Sequence, residues 1–143
     1  ISSKGAMFLH GMTYSGHPVA SAAALANIAL MERDQIPQRV RLTGKRFENN
    51  LRELEALDLV GEVRGSHFMM GIEFVKDKEK KTPFEPEDQI GLKVSRAAQN
   101  RGLIARPLGN ILILSPTLIM TDEQIDRTSD ILRKSIIEVQ TAS

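Results

Sequence analysis

The sequence predicts an α+β fold in which a small, mostly antiparallel sheet is covered by helices on one face. Apolar residues repeat at helical spacing in several segments, and short runs between these segments have the alternation typical of strands. Only short turns separate the two runs of each pair, which favours antiparallel pairing. Helices that alternate with such hairpins pack on one side of the sheet they accompany.

Composition limits the classes of function that the chain can have. The 143 residues are 41% apolar and 26% charged, which is typical of a globular protein with a core. A net charge of +1 gives no field that would attract nucleic acid or a membrane surface. The absence of cysteine excludes disulfides, thiolate zinc sites and cysteine nucleophiles, and it fits a cytoplasmic protein. The most apolar stretch, residues 19–31, is shorter than the roughly 20 residues of a membrane span.

The first predicted helix begins at Pro18, after an irregular segment rich in glycine, serine and threonine. It runs to about Arg33 and is dominated by alanine, with apolar residues on nearly all sides. Such a helix is normally buried on most of its surface. We therefore expect neighbours for it that the rest of this short chain does not supply.

The second predicted helix begins at Pro37 and carries one apolar stripe. The stripe comprises Val40, Gly44, Phe47, Leu51 and Leu54. The opposite, charged face comprises Arg41, Lys45, Glu48, Arg52 and Glu55. We expect a strand at residues 59–63, a turn at Gly65 and Ser66, a strand at residues 68–74, and a solvated loop over residues 76–85.

The remaining third of the chain repeats the order of helix and strand pair. A helix is predicted from Pro86, with Gly102 as its C-terminal cap. Strands are expected at residues 103–106 and 111–115, separated by a Leu-Gly-Asn turn. Thr121 and Gln124 then form a capping box at the start of the last helix.

Two segments could bind an anion. Residues 10–18 read His-Gly-Met-Thr-Tyr-Ser-Gly-His-Pro, which places hydroxyls and glycines at a helix start where free N–H groups attract phosphate. The alternative is an ordinary turn that caps a helix. Arg106, followed by Pro107, could grip a carboxylate with two hydrogen bonds. Its alternative is a surface arginine on an edge strand.

A metal site is not expected. The three histidines, His10, His17 and His67, have no carboxylate at ligand spacing, and Gly11, Gly16 and Pro18 prevent a helical face shared by the first two.

Four motifs in register resemble the class III, or ω-type, aminotransferases. They are the segment 10–18 with its alanine helix, the Glu-Val-Arg-Gly and Met-Gly-Ile-Glu runs at residues 62–65 and 70–73, the Gly-Leu-Ile-Ala-Arg-Pro-Leu-Gly-Asn run at 102–110, and Ser115-Pro116 with Thr121. One departure is Gly65-Ser66-His67-Phe68, where the family often has Gly-Lys-Gly-Leu. His67 is given no catalytic role, and Phe68 keeps the core position.

The resemblance implies the C-terminal part of a pyridoxal 5'-phosphate enzyme of fold type I. Residues 1–33 would be the end of the large domain with the connecting helix, and residues 34–143 the small C-terminal domain. Thr13, assisted by the backbone of Met12, would bind the cofactor phosphate of the neighbouring subunit. Arg106 would pair with the carboxylate of an amino acid or keto acid such as pyruvate, and would swing aside for simple amines.

The resemblance also implies what this chain lacks. The family's cofactor-binding lysine lies upstream of the threonine motif, and Lys4, the only lysine before Thr13, does not match its setting. We therefore expect no catalytic residue in this chain, no activity without the N-terminal large domain, and a parent enzyme that is a homodimer or tetramer. An aminomutase or decarboxylase of the same fold, or an independent interaction domain, stays open as an alternative.

Overall fold

The computed structural model describes residues 11–142, and the chain forms two compact units, Ile1–Gln35 and Ile36–Ser143. Helix α1 (Pro18–Arg33) makes up most of the described part of the first unit. In residues 11–142 we find no helix with the length and apolarity needed to cross a membrane.

Helix α1 has the predicted bounds but not the predicted burial. His17 caps its first turn, where the imidazole Nδ1 accepts a hydrogen bond of 3.3 Å from the N–H of Ala20. No residue of α1 is buried, and the side chains of Val19 and Leu25 are 72% and 68% exposed. The apolar surface of this helix is therefore not covered within the described chain.

The second unit contains three helices and five strands. The helices are α2 (Ile36–Arg52), α3 (Ile90–Gln99) and α4 (Asp122–Ala142). The strands are β1 (Val60–Ser66), β2 (Met69–Asp77), β3 (Thr82–Pro83), β4 (Arg106–Leu108) and β5 (Ile111–Leu114). Every pairing is antiparallel, in the order β1-β2-β5-β4, with β3 on the end of β2. The predicted α+β fold is thus confirmed.

The core lies between one face of the sheet and the helices. Met70 pairs with Leu114 and Ile72 with Leu112, so their side chains share this buried face, together with Phe74. Apolar residues of all three helices pack against it: Phe47 and Leu51 of α2, Val94 of α3, and Leu132 and Ile136 of α4. Because each fully buried apolar side chain contributes roughly 1.5–3 kcal/mol, this layer is the main source of stability.

Helix α2 buries one carboxylate that the sequence placed on its solvent face. Glu48 is only 6% exposed and accepts hydrogen bonds from Lys45, Arg52 and the backbone N–H of His67. The N–H bond from His67, followed by those from the two cations, lowers the pKa of Glu48 from 4.5 to about 2. The expectation was wrong because the β1–β2 turn, with His67 at φ 51°, folds over this face of α2.

Several predicted boundaries differ from the structure. The turn expected at Gly65 and Ser66 falls within β1, and the chain turns instead at His67 and Phe68. The helix expected from Pro86 is a 3₁₀ turn at Pro86–Asp88, and α3 begins only after Gln89, whose φ is 48°. The loop expected over residues 76–85 contains the short strand β3. The strand expected at residues 103–106 starts at Arg106 and runs on to Leu108.

Candidate functional site

Arg106 is the first residue of β4, the edge strand of the ordered sheet. A tight turn at Gly109 and Asn110 joins β4 to β5, and it fixes the pairing of Leu108 with Ile111 and of Arg106 with Ile113. Asn110 anchors this turn, because its side-chain amide donates to the carbonyl of Phe84 at 2.8 Å. The main chain that carries Arg106 therefore has a fixed register.

The side chain of Arg106 belongs to the open face of the sheet. It follows from the register that Arg106, Ile113, Gly71 and Arg64 form one row across four strands on the side away from the core. With strands about 4.8 Å apart, the Cα atoms of the two arginines are on the order of 14 Å apart. Gly71 leaves room between them, since a Cβ there would meet only ordinary contacts of 3.6 and 3.9 Å.

The two arginines of this row differ in their partners. Arg64 pairs with Glu62 at 3.2 Å and with Glu73, and the hydrogen bond that Arg64 donates to the Glu73 carboxylate raises the pKa of Arg64. Arg106 is exposed and has no hydrogen bond or ion pair from its side chain within residues 11–142. Of the two arginines in this row, Arg106 is therefore the one that presents an uncompensated charge to an anion. The position and exposure of Arg106 agree with the alternative raised from the sequence, a surface arginine on an edge strand, and they leave its guanidinium accessible.

A cavity of about 250 Å³ adjoins Arg106. Ile104, Ile113, Ser115 and Pro116 contribute to its walls beside the guanidinium-bearing strand. The walls also include Phe47, Leu114 and Met120 of the core, so the cavity offers mainly apolar surface beside the start of β4.

Met12 and Thr13 lie in the first unit, in the turn that precedes α1. The N–H of Ser15 donates to the carbonyl of Met12 at 2.9 Å, while the N–H groups of Met12 and Thr13 have no partner within residues 11–142. Thr13 is exposed, and its hydroxyl has no partner within residues 11–142. A Cβ added at Gly11 or Gly16 would meet nothing within 4 Å, so the backbone is open to close approach.

This turn belongs to the first unit of the chain and Arg106 to the second, so each is described within its own unit. Each is a separate set of donors suited to an oxyanion. Thr13 offers a hydroxyl in the turn that precedes the 16-residue helix α1, and Arg106 offers a planar fork for a carboxylate.

The histidines make no metal site in the part of the chain that is described. No group of three or more potential ligands occurs among residues 11–142. His17 caps α1, His67 forms the β1–β2 turn, and His10 lies outside the described residues. Lys4 also lies outside them.

One residue near the site was missed from the sequence. Ser95 of α3 is buried, and its hydroxyl donates to the carbonyl of Ala105, the residue before Arg106, at 2.8 Å. A signal existed: Ser95 follows the inward-facing Val94 in a helix whose other polar residues face solvent.

Comparison with known proteins gives a consistent family. The model of the class III aminotransferases matches residues 1–136. An uncharacterized aminotransferase, y4uB, of Sinorhizobium fredii is 44% identical over 135 residues, which cover 92% of this chain and 29% of that protein.

Solved structures agree in fold. The crystal structure of adenosylmethionine-8-amino-7-oxononanoate aminotransferase from Methanocaldococcus jannaschii superposes with a TM-score of 0.86 at 38% identity, over 92% of this chain and 30% of that one. The PMP-bound form of an aminotransferase from Vibrio fluvialis gives 0.86 at 38% identity, over 94% and 30%. The chain thus spans about 30% of the length of the relatives it matches.

Proposed function

The chain belongs to the class III aminotransferases, and on that premise we propose that it is the C-terminal part of a pyridoxal 5'-phosphate enzyme. The enzyme transfers an amino group from an amine or ω-amino acid to a keto acid such as pyruvate. The observation that carries the substrate assignment is the unpaired guanidinium of Arg106 on the open sheet face. The PMP-bound relative supports the cofactor.

Thr13 and Met12 fit the phosphate end of the cofactor. When bound, pyridoxal phosphate supplies the electron sink that makes the bonds at the amino-bearing carbon of the substrate labile. The Thr13 hydroxyl and the Met12 N–H donate to its phosphate, and the start of α1 adds the positive end of a helix dipole. The site that they help to form belongs to the neighbouring subunit.

The lysine that holds the cofactor covalently lies in polypeptide outside this chain. Residues 11–35, which contain the phosphate-binding turn, include no lysine. Four lysines of the second unit are engaged by neighbouring groups, namely Lys45, Lys78, Lys80 and Lys134. By the resemblance to the class III aminotransferases, whose lysine lies upstream of the threonine motif, this chain alone has no activity.

Arg106 binds the carboxylate of the amino acid or keto acid. Its planar fork can form two parallel hydrogen bonds with that group, and no internal carboxylate competes, because Glu62 and Glu73 pair with Arg64. Since the guanidinium is not held by any partner among residues 11–142, it can also swing aside when the donor is an amine without a carboxylate.

Residues 1–33 belong to the large domain and the connecting helix, and residues 34–143 form the small domain. The exposed apolar side chains of α1, such as Val19 and Leu25, are covered by the N-terminal large domain. The parent is a cytoplasmic homo-oligomer, a dimer or tetramer, since Thr13 serves the neighbouring subunit.

Arg106→Ala in the full-length enzyme tests the assignment. L-alanine and isopropylamine differ only in the replacement of a carboxylate by a methyl group, so the two donors report on carboxylate binding. A hydrogen bond to a charged group contributes roughly 1.5–3 kcal/mol, which predicts an about 10- to 150-fold loss of kcat/KM for L-alanine. The value for isopropylamine should stay within about twofold.

The control is Arg64→Ala. This substitution removes a guanidinium from the same sheet face, but the charge of that guanidinium is already neutralised by Glu62 and Glu73. It should leave the ratio of the two kcat/KM values unchanged. An equal loss with both donors in Arg106→Ala would remove the carboxylate role from Arg106.

A further inference from the structure

Ser95 links helix α3 to the strand that carries Arg106. The side chain is buried, with 9% of its surface exposed, and its hydroxyl donates to the carbonyl of Ala105 at 2.8 Å. Ala105 is itself buried and directly precedes Arg106. The hydrogen bond thus fixes the peptide from which the Arg106 side chain departs.

This use of a buried hydroxyl differs from the others in the described chain. The buried hydroxyls of Thr128, Ser129 and Ser135 each donate to the carbonyl four residues earlier in their own helix, at 2.8–3.1 Å. Among the buried hydroxyl side chains of residues 11–142, Ser95 alone donates outside its helix. A serine that only satisfied itself would bond to the carbonyl of Gly91, as helical serines commonly do.

The strand β4 depends on α3 at both of its ends. β4 is an edge strand at the end of the order β1-β2-β5-β4, so β5 is its only neighbour in the sheet. At the far end, Gly91 of α3 lies so close to the β4–β5 turn that a Cβ there would be 2.4 Å from the carbonyl oxygen of Gly109. Ser95 provides the corresponding attachment at the Arg106 end, where a three-residue strand has little else to hold it.

We propose that Ser95 is a positioning residue for Arg106. By holding Arg106 in place, Ser95 sets the preference of the enzyme for donors and acceptors that bear a carboxylate. The inference rests on the proposed function of Arg106. A bidentate hydrogen bond to a carboxylate needs its two N–H groups aligned, so a shift of the strand start weakens this bond and leaves the rest of the site unaffected. Simple amines, which do not use Arg106, are insensitive to Ser95.

The test is the Ser95→Ala variant of the full-length holoenzyme, assayed with L-alanine and isopropylamine. We expect kcat/KM for L-alanine to fall about 5- to 10-fold, as for the loss of one hydrogen bond, chiefly through KM. The value for isopropylamine should not change. Ser135→Ala is the matched control, because it removes a hydroxyl that is at least as buried (0% exposed, against 9% for Ser95) and has the same hydrogen-bond length of 2.8 Å, without touching β4. This variant should have the same ratio of kcat/KM for L-alanine to kcat/KM for isopropylamine as the wild type.

A double variant shows whether Ser95 acts through Arg106. In an Arg106→Ala background, Ser95→Ala should cause no further change in the ratio, because the group it positions is gone. Should Ser95→Ala fail to fold, Ser95→Cys carries the same test, since it keeps a side chain of similar shape with a much weaker donor.

The outcomes separate the two proposals. If Arg106→Ala lowers the ratio but Ser95→Ala and Ser95→Cys do not, the positioning role is refuted and the carboxylate role of Arg106 stands. A selective effect of Ser95→Ala that persists in the Arg106→Ala background also refutes it. If Arg106→Ala itself leaves the ratio unchanged, the proposed function fails first.

Discussion

Gly91→Ala is predicted to destabilise the protein, although alanine is the better helix former. A glycine in the interior of a helix costs about 0.8–1.0 kcal/mol relative to alanine, so helix propensity alone predicts a gain. At Gly91 the new Cβ would lie 2.4 Å from the carbonyl oxygen of Gly109 and 3.3 Å from that of Ile111. Both are backbone atoms, so no change of rotamer relieves the contact.

The size of the effect follows from the required movement. Cβ contacts essentially do not occur below 3.0 Å, so helix and turn must separate by at least about 0.6 Å, the difference between 3.0 and 2.4 Å. Overpacking of this kind costs about 1–3 kcal/mol and commonly exceeds the gain in propensity. Subtracting the propensity gain from this cost, we expect the free energy of unfolding to fall by up to roughly 2 kcal/mol.

Gly71→Ala is the matched control for this substitution. It lies in β2, where a Cβ would have ordinary contacts of 3.6 and 3.9 Å, and a glycine inside a strand is itself unfavourable by roughly 0.5–1 kcal/mol. Urea unfolding followed by circular dichroism should therefore show opposite signs for the two variants. If Gly91→Ala is as stable as the wild type or more stable, the close packing of α3 on the β4–β5 turn is wrong.

Two further predictions concern the Glu48 carboxylate and the cofactor. Because the pKa of Glu48 falls from 4.5 to about 2 on folding, its stabilising effect is complete above pH 4.5 and is lost as the pH drops toward 2. Glu48→Gln should therefore be less stable than the wild type at pH 7, and its melting temperature should fall less steeply between pH 4.5 and 2. Identical pH profiles of the two proteins would contradict the hydrogen bonding of the Glu48 carboxylate described above. The chain mixed with pyridoxal phosphate and dialysed should keep no cofactor absorbance, and stable absorbance assigned to Lys4 would contradict the missing lysine.

The apolar pattern was sufficient to predict the helices and the strand pairs. Phe47 and Leu51, placed on the inner stripe of the second helix, are fully buried, and Phe68 occupies the predicted core position. The capping box of Thr121 and Gln124 is present in both directions, with bonds of 3.0 and 3.3 Å. These features depend on residues close in sequence, which is why spacing alone indicates them.

The features that were missed depend on distant contacts. The apolar run at residues 103–105 suggested a strand, but the short β4–β5 turn pairs Leu108 with Ile111 and so starts the strand at Arg106, leaving Ile104 87% exposed. Glu48 looked solvated because its partner, the N–H of His67, is 19 residues away.

In the candidate site, too, features that depend on nearby residues were predicted and features that depend on distant contacts were not. Residue types indicated the segment 10–18 and Arg106 as candidates, and the resemblance to the class III aminotransferases singled out Thr13 and Met12 within that segment. That Arg106 is unpaired while Arg64 is neutralised needed the register of the sheet. Ser95 could not be assigned a role because a hydroxyl at an inward helical position says nothing about which carbonyl it meets.

A crystal structure of the full-length protein with its cofactor and a carboxylate ligand would test the central claim most directly. We predict that the Thr13 hydroxyl lies about 2.7–3.0 Å from a phosphate oxygen of the cofactor held by the neighbouring subunit. In that structure both nitrogens of the Arg106 fork should contact the ligand carboxylate. A phosphate bound without Thr13, together with Arg106 facing away from any ligand pocket, would contradict the account.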